Sequence, residues 1–179
     1  DNMIIKFSSF FALLVGAIIY LISNPSLGGT NIAHEGTSPI HVKILITYHS
    51  LTENTEKMAQ GVAEGARSMK EAIVVVKPVS AVTANDLFSS DAIIVGSPVY
   101  WSNMAGEVKT FFDNWQFKFG VYPEFKMRDK VGAAFSTGGG YSNGKELTML
   151  TILSAMLGNQ MIVVSGGGAF GASATTEGD

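Results

Sequence analysis

From residue 42 onward the chain alternates between short, continuously apolar runs and longer stretches with a single apolar stripe. The runs at 42–48, 72–77, 91–96, 130–135 and 160–164 are mostly apolar and β-branched, with no polar alternation. Runs of that kind form strands buried on both faces of a sheet. Helical patterns lie between them. Met58, Val62, Ala66 and Met69 fall on one side of a helix that begins near Asn54. A short helix is predicted over 84–88, and Met104, Val108, Phe111, Phe112 and Trp115 mark a third. Leu147, Leu150, Leu153 and Leu157 mark a fourth, from about Lys145. Residues 116–128 read as an aromatic-rich connection. Strand and helix alternate throughout, which predicts an α/β fold: a doubly wound, five-stranded parallel sheet with helices on both faces. In such sheets ligands bind beyond the carboxyl ends of the strands, where the strand order switches.

The first forty residues depart from this alternation. Lys6 precedes an uncharged apolar run, 7–22. That pattern predicts a signal peptide or a membrane anchor over 1–23, with Met3 as the natural start. Ser26 and Gly28 suit cleavage after Gly28, and Lys6 ahead of the run places the following domain on the exported side. Residues 24–40, rich in Pro, Gly, Ser and Thr, read as a linker, and 41–179 as the globular domain.

Composition narrows the chemistry. A formal net charge of −3, with no Lys/Arg cluster, gives no footprint for nucleic acid. The chain has no cysteine, so disulfides, thiol catalysis and thiolate metal sites are excluded, and redox chemistry requires a bound cofactor. His34, His41 and His49 lack partners at ligand spacing, so no catalytic metal is expected.

Three of the predicted strands end in unusual loops. The first carries Ser50, Leu51, Thr52, Glu53, Asn54 and Thr55 into a helix N-terminus. Unpaired backbone N–H groups, the helix dipole and hydroxyl side chains together favour an anion there. The competing reading is an N-cap formed by Thr52 or Asn54. The second loop brings Pro98, Val99, Tyr100 and Trp101, whose rings could stack on a planar group. The third, Ser136, Thr137, Gly138, Gly139, Gly140 and Tyr141, offers backbone N–H groups at close approach. A phosphorylated planar cofactor with a polar edge satisfies all three loops. Flavin mononucleotide fits, whereas a dinucleotide fits less well because no Gly-x-Gly-x-x-Gly follows the first strand.

These motifs resemble those of the flavodoxin-like proteins, whose first strand is followed by a hydroxyl-rich phosphate loop matched here by Ser50-x-Thr52-x-Asn54-Thr55. Within that group, residues 96–106 with Phe111-Phe112-Asp113 are similar to the WrbA-type NAD(P)H:quinone reductases. So are Ser136-Thr137-Gly138, Gly144-Lys145-Glu146-Leu147-Thr148 and Phe170-Gly171-Ala172-Ser173. The resemblance implies strand order 2-1-3-4-5, FMN as cofactor, NAD(P)H as co-substrate, a quinone as acceptor and a homo-oligomer. Residues 50–55 would hold the phosphate, Val99 to Trp101 would flank the ring, and 136–141 would meet its polar edge. Three features depart from the family pattern. Glu53 replaces a glycine, Tyr141–Ser142 and Asn159 stand where histidines are common, and the final helix would follow Asp179. Two alternatives stay open: a one-electron flavodoxin carrier, and a flavodoxin-like module without FMN. NAD(P)H is a cytoplasmic reductant, so a cytoplasm-facing domain is the alternative to the exported placement.

Overall fold

The computed structural model describes residues 41–165 and 170–175. The expected leader at 1–23 and linker at 24–40 lie outside these residues. The central strand is β1, Val42–Tyr48. It pairs in parallel with β2, Ala72–Pro78, on one side and with β3, Ala92–Tyr100, on the other. Next to β3 lies β5, Val131–Gly138. The position beyond β5 is shared by two short strands. Ile162–Val163 (β6) pairs with the start of β5, and Ala172–Thr175 (β7) pairs with its end. The five parallel positions therefore run 2-1-3-4-5, as expected. The predicted fifth strand at 160–164 shortens to β6, and the edge resumes at β7.

Helix α1, Asn54–Arg67, covers one face of the sheet. Helices α2, Ala84–Phe88, α3, Gly106–Phe117, and α4, Lys145–Gly158, cover the other. Alternate residues of β1 serve the two layers. Ile44, Ile46 and Tyr48 pack with Met58, Val62 and Ala66 of α1, whereas Leu45 packs with the opposite layer. Each fully buried Ile or Leu contributes about 1.5–3 kcal/mol, so β1 anchors both layers. Met69 follows the end of α1 and still packs on its cluster. Gly96 sits where β3 meets Phe135 of β5, and a Cβ there would strike the Phe135 ring. That close approach excludes any larger residue.

Three expectations need correction. The third strand does not stop at residue 96 but continues to Tyr100, then turns back through β4, Asn103–Met104, in an antiparallel pair. Met104 thus belongs to β4, and α3 buries Val108, Phe111, Phe112 and Trp115. The leucine stripe of α4 is the third correction. Leu147, Leu150 and Leu157 are exposed, while Thr148, Met149, Ile152, Leu153 and Met156 face the core. This helix is apolar almost all round, so periodicity alone could not choose its buried side.

The link from β2 to α2 is held by Asp86. Its carboxylate takes both Lys77 Nζ contacts at 2.9 Å, and it completes a capping box with Thr83. Burial alone would raise the Asp86 pKa. Hydrogen bonds from Lys77 and Thr83, with the Lys77 charge, outweigh it and hold the group at about 2. A depressed native pKa stabilises the fold above the unfolded value near 4, and that contribution fades as pH falls toward 2. Lys77→Met should cost about 1–3 kcal/mol at pH 7 and flatten the loss of stability between pH 4 and 2. Urea unfolding at pH 7, 4 and 2.5 checks this.

Candidate functional site

Parallel pairing brings the three loops to one edge of the sheet. The first begins at His49, whose N–H donates to Gly96 O at 3.2 Å, so β1 ends level with Gly96 while β3 continues to Tyr100. The helix that follows has Glu53 as its N-cap, in the left-handed region at φ 64, with no side-chain cap. The capping alternative is therefore not realised. Asn54 Nδ2 instead donates to Thr52 Oγ1 at 3.1 Å, and the Glu53 side chain accepts from none of the first-turn N–H groups. Ser50 Oγ is buried without a hydrogen-bond partner among the described residues. An orphaned hydroxyl beside an uncapped helix start is the donor set a phosphate requires.

The carboxylates here are turned aside. Glu53 Oε2 lies 3.9 Å from Lys57 Nζ on the exposed surface. Glu56 accepts from Tyr48 OH at 2.7 Å. Burial first, then the Glu56 hydrogen bond and charge, push the Tyr48 hydroxyl up to about 12, so it remains a donor at neutral pH. The glycine-type backbone at position 53 thus persists with a glutamate in it, and the glutamate side chain points to solvent. Leu51, also in this loop, is exposed.

The second loop is a hairpin rather than an open loop. Tyr100 and Asn103 pair, and the two residues between them, Trp101 and Ser102, have φ of 50 and 64. Two-residue turns with positive φ favour Asn-Gly, so Trp-Ser at this tip is strained. Trp101 is 101% exposed, which lays a large planar side chain open to solvent. Tyr100 stands edge-on to His49, with ring centroids 6.1 Å apart. His49 Nε2 also lies 3.5 Å from Glu107 Oε2. Pro98 and Val99 are part of β3, not of a loop, and Pro98 is in register with Thr137.

The third loop is tied to the first. Thr55 and Thr137 are buried and their hydroxyls lie 2.7 Å apart. Ser136 Oγ donates to Ser97 O at 3.0 Å, which joins the second and third. Gly139 has open space where a Cβ would stand, room for a ligand edge. Its N–H is not simply on offer, however. With the Asn143 amide oxygen turned toward the loop, it accepts from Gly139 N at 3.0 Å and Gly140 N at 3.3 Å, and the amide nitrogen donates to Gly140 O at 3.0 Å. A ligand using these donors must displace Asn143. Tyr141 is exposed beside them. Ser97 and Asn143 fall within the second and third loops in the sequence but have no role assigned there, and His49 and Glu107 carry no site signal in the sequence. Asn143 carried one usable signal, a helix-start pattern of Asn-Gly immediately before α4.

Together the edge provides an uncapped helix start, a hydroxyl without a partner among the described residues, an exposed aromatic and a glycine loop with room beside Gly139 whose N–H groups Asn143 holds. These residues fit a group with a phosphate and a flat ring, as FMN has.

Comparison with known proteins agrees with this geometry. The sequence pattern of the NADPH-dependent FMN reductase family matches residues 67–176, a span that includes the second and third loops. A flavodoxin of Clostridium saccharobutylicum is 36% identical over 130 residues, covering 73% of this chain and 77% of its own. Among solved structures, a flavodoxin, WrbA-like protein from Agrobacterium tumefaciens superposes with a TM-score of 0.66 at 24% identity, over 77% of this chain and 85% of its own. A flavodoxin from the domain Archaea gives 0.62 at 24% identity, over 77% and 87%.

The left-handed Glu53 gives a direct test of the first loop. Relief of the Cβ clash should outweigh the added freedom of the unfolded chain, so Glu53→Gly should stabilise the protein by about 1 kcal/mol. The exposed contact with Lys57 is worth little and should not offset this. Thermal unfolding of the variant beside the parent protein reads the change directly.

Proposed function

Because this chain belongs to the NADPH-dependent FMN reductase family, an FMN-binding group of flavodoxin-like fold, we propose that it is an oxidoreductase that passes electrons from NAD(P)H through FMN to a quinone. The observation that carries the reading is the edge itself: the Ser50 hydroxyl, buried without a partner among the described residues, beside the uncapped start of α1, on the same sheet edge as a loop with room at Gly139. FMN supplies the electron chemistry when bound. This chain's residues supply position. Ser50, Thr52 and the first-turn N–H groups hold the phosphate, the Thr55–Thr137 pair fixes the loop spacing, and Trp101 offers a stacking surface. Both substrates use the same open side in turn, which gives ping-pong kinetics. The apolar stretch at 7–22 suits placement at a membrane, where quinones partition.

A second reading is a flavodoxin-type carrier, favoured by the name of the Clostridium relative. The mild net charge of −3 weighs against it, since carriers steer to partners through a strong surface charge.

The deciding measurement is an anaerobic absorbance titration of the full chain reconstituted with FMN. NADH or NADPH should bleach the flavin band in a single two-electron step, and benzoquinone should restore it. Reduction by dithionite alone, in two one-electron steps, would replace the reductase reading with the carrier. In the same preparation Ser50→Ala should weaken FMN binding about tenfold, the loss of one charge-assisted hydrogen bond.

A further inference from the structure

One charged side chain near the site has no role in the account above. Lys145, the first residue of α4, is only 5% exposed. Its ammonium donates to Thr175 Oγ1. Thr175 pairs with Gly138, so the ammonium is level with the start of the third loop. No carboxylate among the described residues lies within 4 Å of it. One turn further along α4, on the same buried face, Thr148 Oγ1 is also buried with no partner among the described residues.

This position is unfavourable for a cation in two ways. Burial removes its hydration, and the N-terminal end of a helix carries the positive end of the dipole. An ammonium with two spare donors persists in such a place when an anion compensates it. The backbone around it is fixed. Gly144, at φ 97, precedes Lys145, and a Cβ there would come 2.8 Å from Ser102 Cα in the second loop. Thr151 donates to Asn103 Oδ1 at 2.8 Å, which ties α4 to the same hairpin. The start of α4 is therefore held against the second loop, while the Lys145 side chain reaches to Thr175 on the outer side of β5, level with the third loop.

Resting on the FMN reading above, we propose that Lys145 is a positioning charge for the polar edge of the flavin, placed to favour its reduced form. Hydride transfer from NAD(P)H moves two electrons and one proton to the flavin and leaves the nicotinamide as a cation. The flavin gains one negative charge. A fixed ammonium beside the third loop stabilises that charge and leaves the neutral oxidised ring nearly unaffected, because Coulomb attraction acts only on the charged form.

The test compares the full chain with Lys145→Met, Lys145→Gln and Lys145→Arg. The readouts are the Kd for oxidised FMN, the midpoint potential of the complex, and the melting temperature of the apoprotein. Lys145→Met and Lys145→Gln should bind oxidised FMN within about threefold of the parent and reduced FMN about tenfold more weakly. That ratio corresponds to a potential lower by about 30 mV for a two-electron couple. Lys145→Arg should keep the parent potential. The apoprotein of Lys145→Met should melt no lower than the parent, since a buried cation with no carboxylate partner among the described residues has been removed. An unchanged potential with a lower apoprotein melting temperature overturns the proposal, because the lysine then serves a structural ion pair. Failure of both neutral variants to fold overturns it in the same way. If the parent chain binds no FMN, the FMN reading itself falls and takes this proposal with it, an outcome separate from the others.

Discussion

Parallel pairing of β1, β3 and β5 dictates most of what this protein presents to solvent. Parallel strands end on the same side, so their three loops must converge on one edge whatever their sequences. The register then sets the spacing. Tyr48 meets Gly96, and Gly96 meets Phe135, so the three strands are level there, and β3 and β5 extend three or four residues past the end of β1. That alignment lets Thr55 reach Thr137 and Ser136 reach Ser97. It also explains the glycine at 96, since only a residue without a Cβ lets the Phe135 ring cross β3 there.

The edge is polar where the interior is not. Each loop hands hydroxyls, amides or backbone donors to the same small region, while the carboxylates nearest it are turned away. Glu53 faces solvent and Glu56 is held by Tyr48. The result is a rim rich in donors, which suits an anionic, planar ligand better than a cationic one.

Much of this was legible in the residues, and the gaps have physical causes. The apolar runs located β1, β2, β3 and β5 and the first half of the fifth position, because short β-branched runs bounded by turn residues favour strands, whereas β7 is built of small residues that give no such pattern. The need for positive φ at position 53 was visible through the resemblance and is met by a glutamate that strains the backbone. The end of β3 was misread because Ser97 and Pro98 look like turn residues. Beyond Gly96, β1 no longer pairs with β3, so proline loses no ladder hydrogen bond there. The buried face of α4 was misread because leucine and methionine line both sides of it. Asn143, which holds the glycine loop, carries only a helix-start signal in the sequence, and an amide before a helix more often reads as a cap than as a partner of the preceding loop.

The hairpin that strains Trp101 into solvent has an optical consequence. The chain has two tryptophans, and their surroundings are opposite: Trp101 is bare, while Trp115 is sealed in the core against Phe111 and Phe112. Their emission is therefore separable by colour, with a red component from the rim and a blue one from the interior. The protein carries its own pair of fluorescent reporters, one for events at the sheet edge and one for the integrity of the layer beneath it.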